Sequence, residues 1–239
     1  MDKPAIIYED EHLIAINKPS GVLSIPDRMQ SQSSLKDMLI HSHGQIFTVH
    51  RLDKETSGVI VFAKDEVTHK FLSQQFEHRE TIKWYTGLVL GTFIEKKGEI
   101  DVPITEHSYK KGTMMVSGKG KPSVTEYEVM EEFGSFSYLK FNLLTGRTHQ
   151  IRVHMKHAGH PIACDNIYGD GKPVFLSGLK KKFKLSQLQD EERPILNRMA
   201  LHAHQLILRT RDGTELILEA DLPKELRAFL QQLRKWKKR

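Results

Sequence analysis

The densest run of polar residues in this chain lies between two apolar stretches: His50, Arg51, Leu52, Asp53, Lys54, Glu55, Thr56, Ser57 and Gly58. Charged groups on a short connection between rigid strands are a common way to present a site. Asp53 has Arg51 and Lys54 close by in sequence, and neighbouring cations favour an ionised carboxylate. That suits a nucleophile or a base better than a proton donor. The plain alternative is a solvated turn with local ion pairs, each worth little.

A second polar run reads Leu144, Thr145, Gly146, Arg147, Thr148, His149, Gln150, Ile151, Arg152, Val153, His154. A helix is expected from Thr148 to Gly159, with Ile151, Met155 and Ala158 on its buried side. Arg147 and Arg152 then stand near its N-terminus, where the macrodipole disfavours positive charge by about 0.3–1 kcal/mol. An anion is required to compensate them: a phosphate, a carboxylate such as Asp53, or both. The third piece is Lys83, Trp84, Tyr85 on a predicted strand, where alternation puts Lys83 and Tyr85 on one face. A tyrosine beside a lysine can stack on a nucleobase, although a strand tyrosine is more often a packing residue.

In this order the three pieces resemble RluA-type RNA pseudouridine synthases. Residues 50–58 are similar to the motif around that family's catalytic aspartate. Residues 83–85 match its Lys-x-Tyr element, and residues 146–154 its Gly-Arg-Thr-His-Gln-Ile/Leu-Arg-Val-His element. Weaker similarity runs through residues 14–24, 120–129, 159–169 and 199–204, so it covers nearly the whole chain. The resemblance implies Asp53 as the catalytic carboxylate, Arg152 as its salt-bridge partner, and Tyr85 against the uracil ring as stacking partner or base. It implies that Arg51 enters the RNA where the target nucleotide leaves, with His50, Lys83, Arg147 and His149 as further RNA contacts. Many relatives carry an S4-type RNA-binding module at the N-terminus, and none is expected here because the similarity begins within the first residues.

The reaction so implied breaks the bond from uracil N1 to the ribose and rejoins the base through C5. It is redox-neutral, so no cofactor and no metal is expected. The carboxylate has three possible tasks: attack on the anomeric carbon, addition to C6 of the ring, or removal of a proton from the second sugar carbon. The partner is RNA, ribosomal or transfer, with the target base flipped out of its stack. The rival reading is an RNA-binding module with the same fold and no catalysis, which would have no need of Asp53, Tyr85 and Arg152 together.

Other chemistry is excluded or disfavoured. One cysteine, Cys164, rules out an intramolecular disulfide and the paired thiolates of a zinc deaminase, and it reads as a packing residue. His149, His154, His157 and His160 have no acidic residue among them to complete a common zinc set. Residues 112–119 miss phosphate-loop spacing by one position, and Gly120 stands where Ser or Thr is required.

The elements that must position these residues are read as follows. Strands are expected at 5–8, 13–16, 46–49, 59–63, 81–90, 123–130 and 137–144, with a hairpin at 200–209 and 214–219 turning on Asp212 and Gly213. Ser33 is expected to cap a short helix bearing Leu35, Met38 and Leu39. A second helix, 66–78, would bury Val67, Phe71, Leu72 and Phe76, and a last one Leu226, Phe229, Leu230, Leu233 and Trp236. The fold class is thus α+β, a mixed and largely antiparallel sheet with flanking helices and a central RNA-binding cleft. One catalytic domain is expected over residues 1–239. Within it, residues 172–197 form a surface insertion and residues 222–239 a C-terminal helix and basic tail. The +6 net charge of the 239 residues suits a polyanionic partner. The basic runs 180–184 and 234–239 are further candidates for phosphate contact. With no membrane span or leader in view, a cytoplasmic monomer without an obligate protein partner is expected.

Overall fold

The computed structural model describes residues 4–27, 29, 31–179 and 191–237. The Lys run expected to grip phosphate, 180–184, lies outside the described residues. So do Lys238 and Arg239.

The strands are β1 (Ala5–Glu9), β2 (Leu13–Lys18), β3 (Phe47–Thr48), β4 (Ser57–Ala63), β5 (Ile82–Leu90), β6 (Lys97–Asp101), β7 (Ile104–Glu106), β8 (Met114–Val116), β9 (Val124–Glu132), β10 (Phe136–Leu143), β11 (Leu201–Arg209) and β12 (Glu215–Glu219). Among the described residues five helices accompany them: α1 (Leu35–His43), α2 (Glu66–Glu77), α3 (Gln150–His157), α4 (Leu176–Leu179) and α5 (Lys224–Lys237). Ten strands form one sheet in the order β1-β2-β4-β11-β5-β10-β9-β6, with β12 joined to β11 and β3 to β4. Its pairings are antiparallel except for β4 with β11, which is parallel and short. A separate hairpin, β7–β8, stands beside α3. The fold is therefore α+β with a mixed sheet, as the strand and helix pattern implied.

That single parallel junction explains the last residue of the first motif. Gly58 has φ +116°, and a Cβ there would sit 2.1 Å from the Ala203 carbonyl oxygen. Only glycine permits this approach of β4 to β11, so the chain leaving the Asp53 loop enters the sheet at its centre.

Local chemistry sets the helix starts. Ser34, not Ser33, caps α1: its hydroxyl accepts from the Asp37 amide and the Asp37 carboxylate accepts from the Ser34 amide. The reciprocal box needs an acid three residues on, which Ser34 has and Ser33 lacks. Asp65 caps α2 through the Thr68 amide. In α2, Val67 is 66% exposed and Leu72 carries the contact, so the expected apolar face is one residue too wide. Helix α5 buries Leu226, Phe229, Leu230 and Leu233, with Phe229 edge-on to Phe136 of β10. Each such side chain is worth about 1.5–3 kcal/mol of apolar burial.

The 172–197 connection is anchored at its ends. Val174 bridges to Leu196, which is fully buried, and the Ala200 amide donates to the Ala163 carbonyl. No helix among the described residues is long and apolar enough to cross a membrane.

Candidate active site

Asp53 lies on the loop that enters β4, and that loop is stitched to residues 18–24 from below. Lys18 is fully buried, and its Nζ donates to the carbonyls of Pro19, Val22 and Lys54 at 2.7–3.0 Å. Ser20 donates to the Glu55 carbonyl, the Gly21 amide to the Lys54 carbonyl, and Ser24 to the Leu52 carbonyl. Burial pulls the Lys18 ammonium down to about 7. The sequence reading passed over this lysine, and its one local cue was the weak similarity across residues 14–24.

The opposite wall is α3 and the turn before it. Gln150 is buried, and its Oε1 accepts from the Thr145 hydroxyl and the Arg147 amide while its Nε2 donates to the Val124 carbonyl. His149 takes left-handed backbone, φ 57°, before the first helical residue, and supplies no side-chain cap. The helix therefore starts at Gln150, two residues later than expected. A β-carbon in that region costs roughly 1–2 kcal/mol, so the surroundings hold this residue in place. Helix α3 ends at His157, and Ala158 is exposed rather than buried.

Arg152 is 2% exposed, and its partners correct an expectation. Its close anion is Asp165: Nε donates to Oδ2 at 2.7 Å and Nη2 to Oδ1 at 2.8 Å. Asp53 is a second, longer partner, with Nη1 to Oδ2 at 3.5 Å. The charge at the helix start is thus compensated chiefly by a carboxylate that the sequence reading did not name. Asp165 also accepts from the Ile167 and Tyr168 amides. Burial resists its ionisation, but Arg152 and these amides prevail and lower its pKa. The face of Tyr168 covers the guanidinium at 4.9 Å.

The Asp53 loop and the α3 wall enclose a cleft of about 440 Å³ lined by His50, Arg51, Asp53, Lys83, Tyr85, Arg147, His149 and Arg152, together with Arg79. All eight sequence-named residues come together there. They do not share one environment. Arg51 is exposed, and Lys83 and Tyr85 are half-buried on β5. Burial and the Asp53 charge both raise the Tyr85 phenol, which keeps it protonated. His50 is stacked on Phe76, and its Nε2 accepts from the Val61 amide. Burial depresses its pKa to about 3, so it is a neutral anchor for the strand rather than a cation for phosphate. Arg147 donates through Nε to the Pro122 carbonyl. Arg79 was missed because it follows a helix, with φ 62°, where sequence signals favour glycine.

The residues set aside have structural partners. His154 is buried between the Thr125 hydroxyl and the Val102 carbonyl. Burial raises Cys164 to about 11, and its thiol faces the Leu196 carbonyl. Arg234 of the basic tail forms a two-pronged pair with Glu131 of β9 and is not free for phosphate.

A central mixed sheet with an acid set between arginines in a cationic cleft defines a class, and comparison with known proteins identifies it. Residues 12–157 match the model of the RNA pseudouridylate synthase family. The chain is 37% identical over 236 residues to "Ribosomal large subunit pseudouridine synthase D" of Nitrosomonas europaea, covering 96% of this chain and 65% of that protein. The protein of that name from Escherichia coli K12 is 36% identical, with 96% and 70% covered. Among solved structures, human RNA Pseudouridylate Synthase Domain Containing 4 superposes with a TM-score of 0.75 at 31% identity, covering 96% of this chain and 93% of that one. This chain belongs to the RNA pseudouridylate synthase family, a family of isomerases, and to its RluA type.

Proposed function

We propose that this protein isomerises uridine to pseudouridine in large-subunit ribosomal RNA, with Asp53 as the catalytic carboxylate. The observation that carries the reading is the environment of Asp53. A fully buried guanidinium, already paired with Asp165, extends one further N–H toward its carboxylate at the floor of a cationic cleft. A module that only bound a polyanion would gain nothing from a carboxylate at the floor of its cleft, which repels phosphate. The ribosomal substrate is favoured over transfer RNA by the names that the similar bacterial proteins bear.

The contacts from Arg152 and His149 both fall on Oδ2 of Asp53, leaving Oδ1 for the chemistry. From there the oxygen has the three tasks open to a carboxylate: attack on the anomeric carbon, attack on C6, or proton removal from the sugar. Tyr85, held protonated, serves as a flat partner for the uracil ring rather than as a base. Arg51, exposed at the rim, fills the place of the flipped nucleotide. Lys83, Arg79 and Arg147 meet phosphates along the cleft. All of these groups come from one chain, so a monomer suffices, acting in the cytoplasm where bacterial ribosomal RNA is made.

The test is incubation of the purified protein with a transcript of large-subunit ribosomal RNA, followed by digestion to nucleosides. Pseudouridine should accumulate with the native chain and not with Asp53→Asn. Tight binding without product would favour the non-catalytic reading.

A further inference from the structure

The hydrogen bonds around Tyr168 determine which nitrogen of His149 carries its proton. The Tyr168 hydroxyl accepts from the Met114 amide at 2.7 Å and lies 2.7 Å from His149 Nδ1. A phenol has one proton to give. If it gives that proton to Nδ1, the amide, the hydroxyl and the ring nitrogen are all satisfied. If Nδ1 held the hydrogen, the hydroxyl of a residue only 6% exposed would receive two donors and have none of these groups to donate to. In the neutral ring the hydrogen therefore sits on Nε2.

Nε2 is 3.8 Å from Asp53 Oδ2. The arrangement turns an N–H toward the carboxylate, where the other tautomer would present a lone pair and repel it. Rigid parts hold the ring: His149 adjoins the first turn of α3, and Tyr168 meets it edge-on at 75°. Tyr168 also covers Arg152, so one phenol supports both groups that reach Asp53.

We infer that Tyr168 and His149 form a tautomer lock, Tyr168 O–H to His149 Nδ1 and His149 Nε2–H toward Asp53, that positions the catalytic carboxylate. His149 is then a positioning residue rather than an RNA contact. The inference rests on the proposed role of Asp53. Burial is the main cause that lowers the pKa of the ring; of the charges that face it, Asp53 and Asp165 favour its protonation and Arg152 and Arg51 oppose it.

Nitrogen NMR of protein labelled in its histidines tests the lock without any RNA, with His149→Gln identifying the signals. His149 should be neutral near pH 7 with its hydrogen on Nε2. In Tyr168→Phe, which keeps the ring and removes the hydroxyl, the tautomers should mix. The ring should also charge at higher pH, because the lost bond favoured the neutral form. On a large-subunit ribosomal RNA transcript, Tyr168→Phe should lower the single-turnover rate by about tenfold or more while RNA affinity stays within about twofold. His149→Gln, which can still donate toward Asp53, should retain more rate than His149→Leu. A hydrogen on Nδ1 in the native protein would overturn the lock whether or not RNA is modified. So would a Tyr168→Phe protein with unchanged tautomer and rate. A lock intact by NMR in a protein that modifies no RNA would instead count against the proposed reaction alone.

Discussion

Arg152 is a buried cation between two carboxylates that do different work. Asp165, with no exposed surface, binds it through two short bonds and takes two backbone amides besides, whereas Asp53 meets it at 3.5 Å and faces the cleft. Asp165→Asn should leave the guanidinium without its principal anion. Breaking a buried pair costs roughly 3–5 kcal/mol, which urea unfolding at neutral pH would measure. The pKa of Asp165 is lowered in the folded state, so its contribution is present above the unfolded carboxylate pKa and is lost as pH falls through the folded value. The gap between native and variant stability should accordingly narrow in acid. Asp53→Asn should behave in the opposite way: the fold and RNA affinity are kept, and single-turnover activity falls by several orders of magnitude because an amide is neither base nor nucleophile. Activity within tenfold of the native chain would remove Asp53 from its role. Asp53 was legible in the sequence because its neighbours form one continuous motif. Asp165 was not, since its partner is 13 residues away and the weak similarity across residues 159–169 does not single out the aspartate that folding will bury.

At the scale of elements, strands and helices with a strong apolar period were readable: β2, β4, β5 and β11 in the sheet, and α2 and α5 on it. Strands β6, β7 and β8 were not, because they are too short to show an apolar alternation, and their pairing partners rather than their own pattern define them. The turn into α3 was misread by two residues for a similar reason. Its geometry comes from the side chain of Gln150 reaching back over Thr145 and Arg147. The Lys18 clamp belongs to this scale too, since it joins the end of β2 to the catalytic loop through the Lys54 carbonyl. Its folded pKa is about 7 against an ordinary 10.5. Between those values the unfolded chain binds more protons, so this residue makes the native fold gain stability as pH rises through that window. Lys18→Met lacks the titration and the three hydrogen bonds. Native minus variant stability should therefore grow from neutral pH to about 10, by an amount on the order of a few kcal/mol, when followed by urea unfolding. A flat difference would show that the lysine is solvated in solution.

For the whole molecule, the question is how a +6 chain grips RNA and extracts one nucleotide. Arg234 is paired with Glu131, whereas the cations of the cleft line the approach to Asp53 and are placed to meet RNA. Lys83→Ala or Arg147→Ala should each reduce the slope of log affinity against log salt by about 0.7 on single-stranded RNA, while Arg234→Ala leaves the slope alone. Arg51 differs from all of these. It is exposed at the rim, two residues before Asp53, on a loop clamped from below, so it can enter a helix without moving the carboxylate. Filling the gap left by a flipped nucleotide offsets part of the unstacking, a few kcal/mol in a paired region and little in an unstructured strand. Arg51→Ala should therefore slow single-turnover reaction of a stem-loop far more than that of a linear RNA of the same sequence around the target. A loss of affinity alone would shift both substrates equally and vanish at saturating protein. Equal losses on the two RNAs at saturation would mean that Arg51 binds phosphate like its neighbours and that another group holds the helix open.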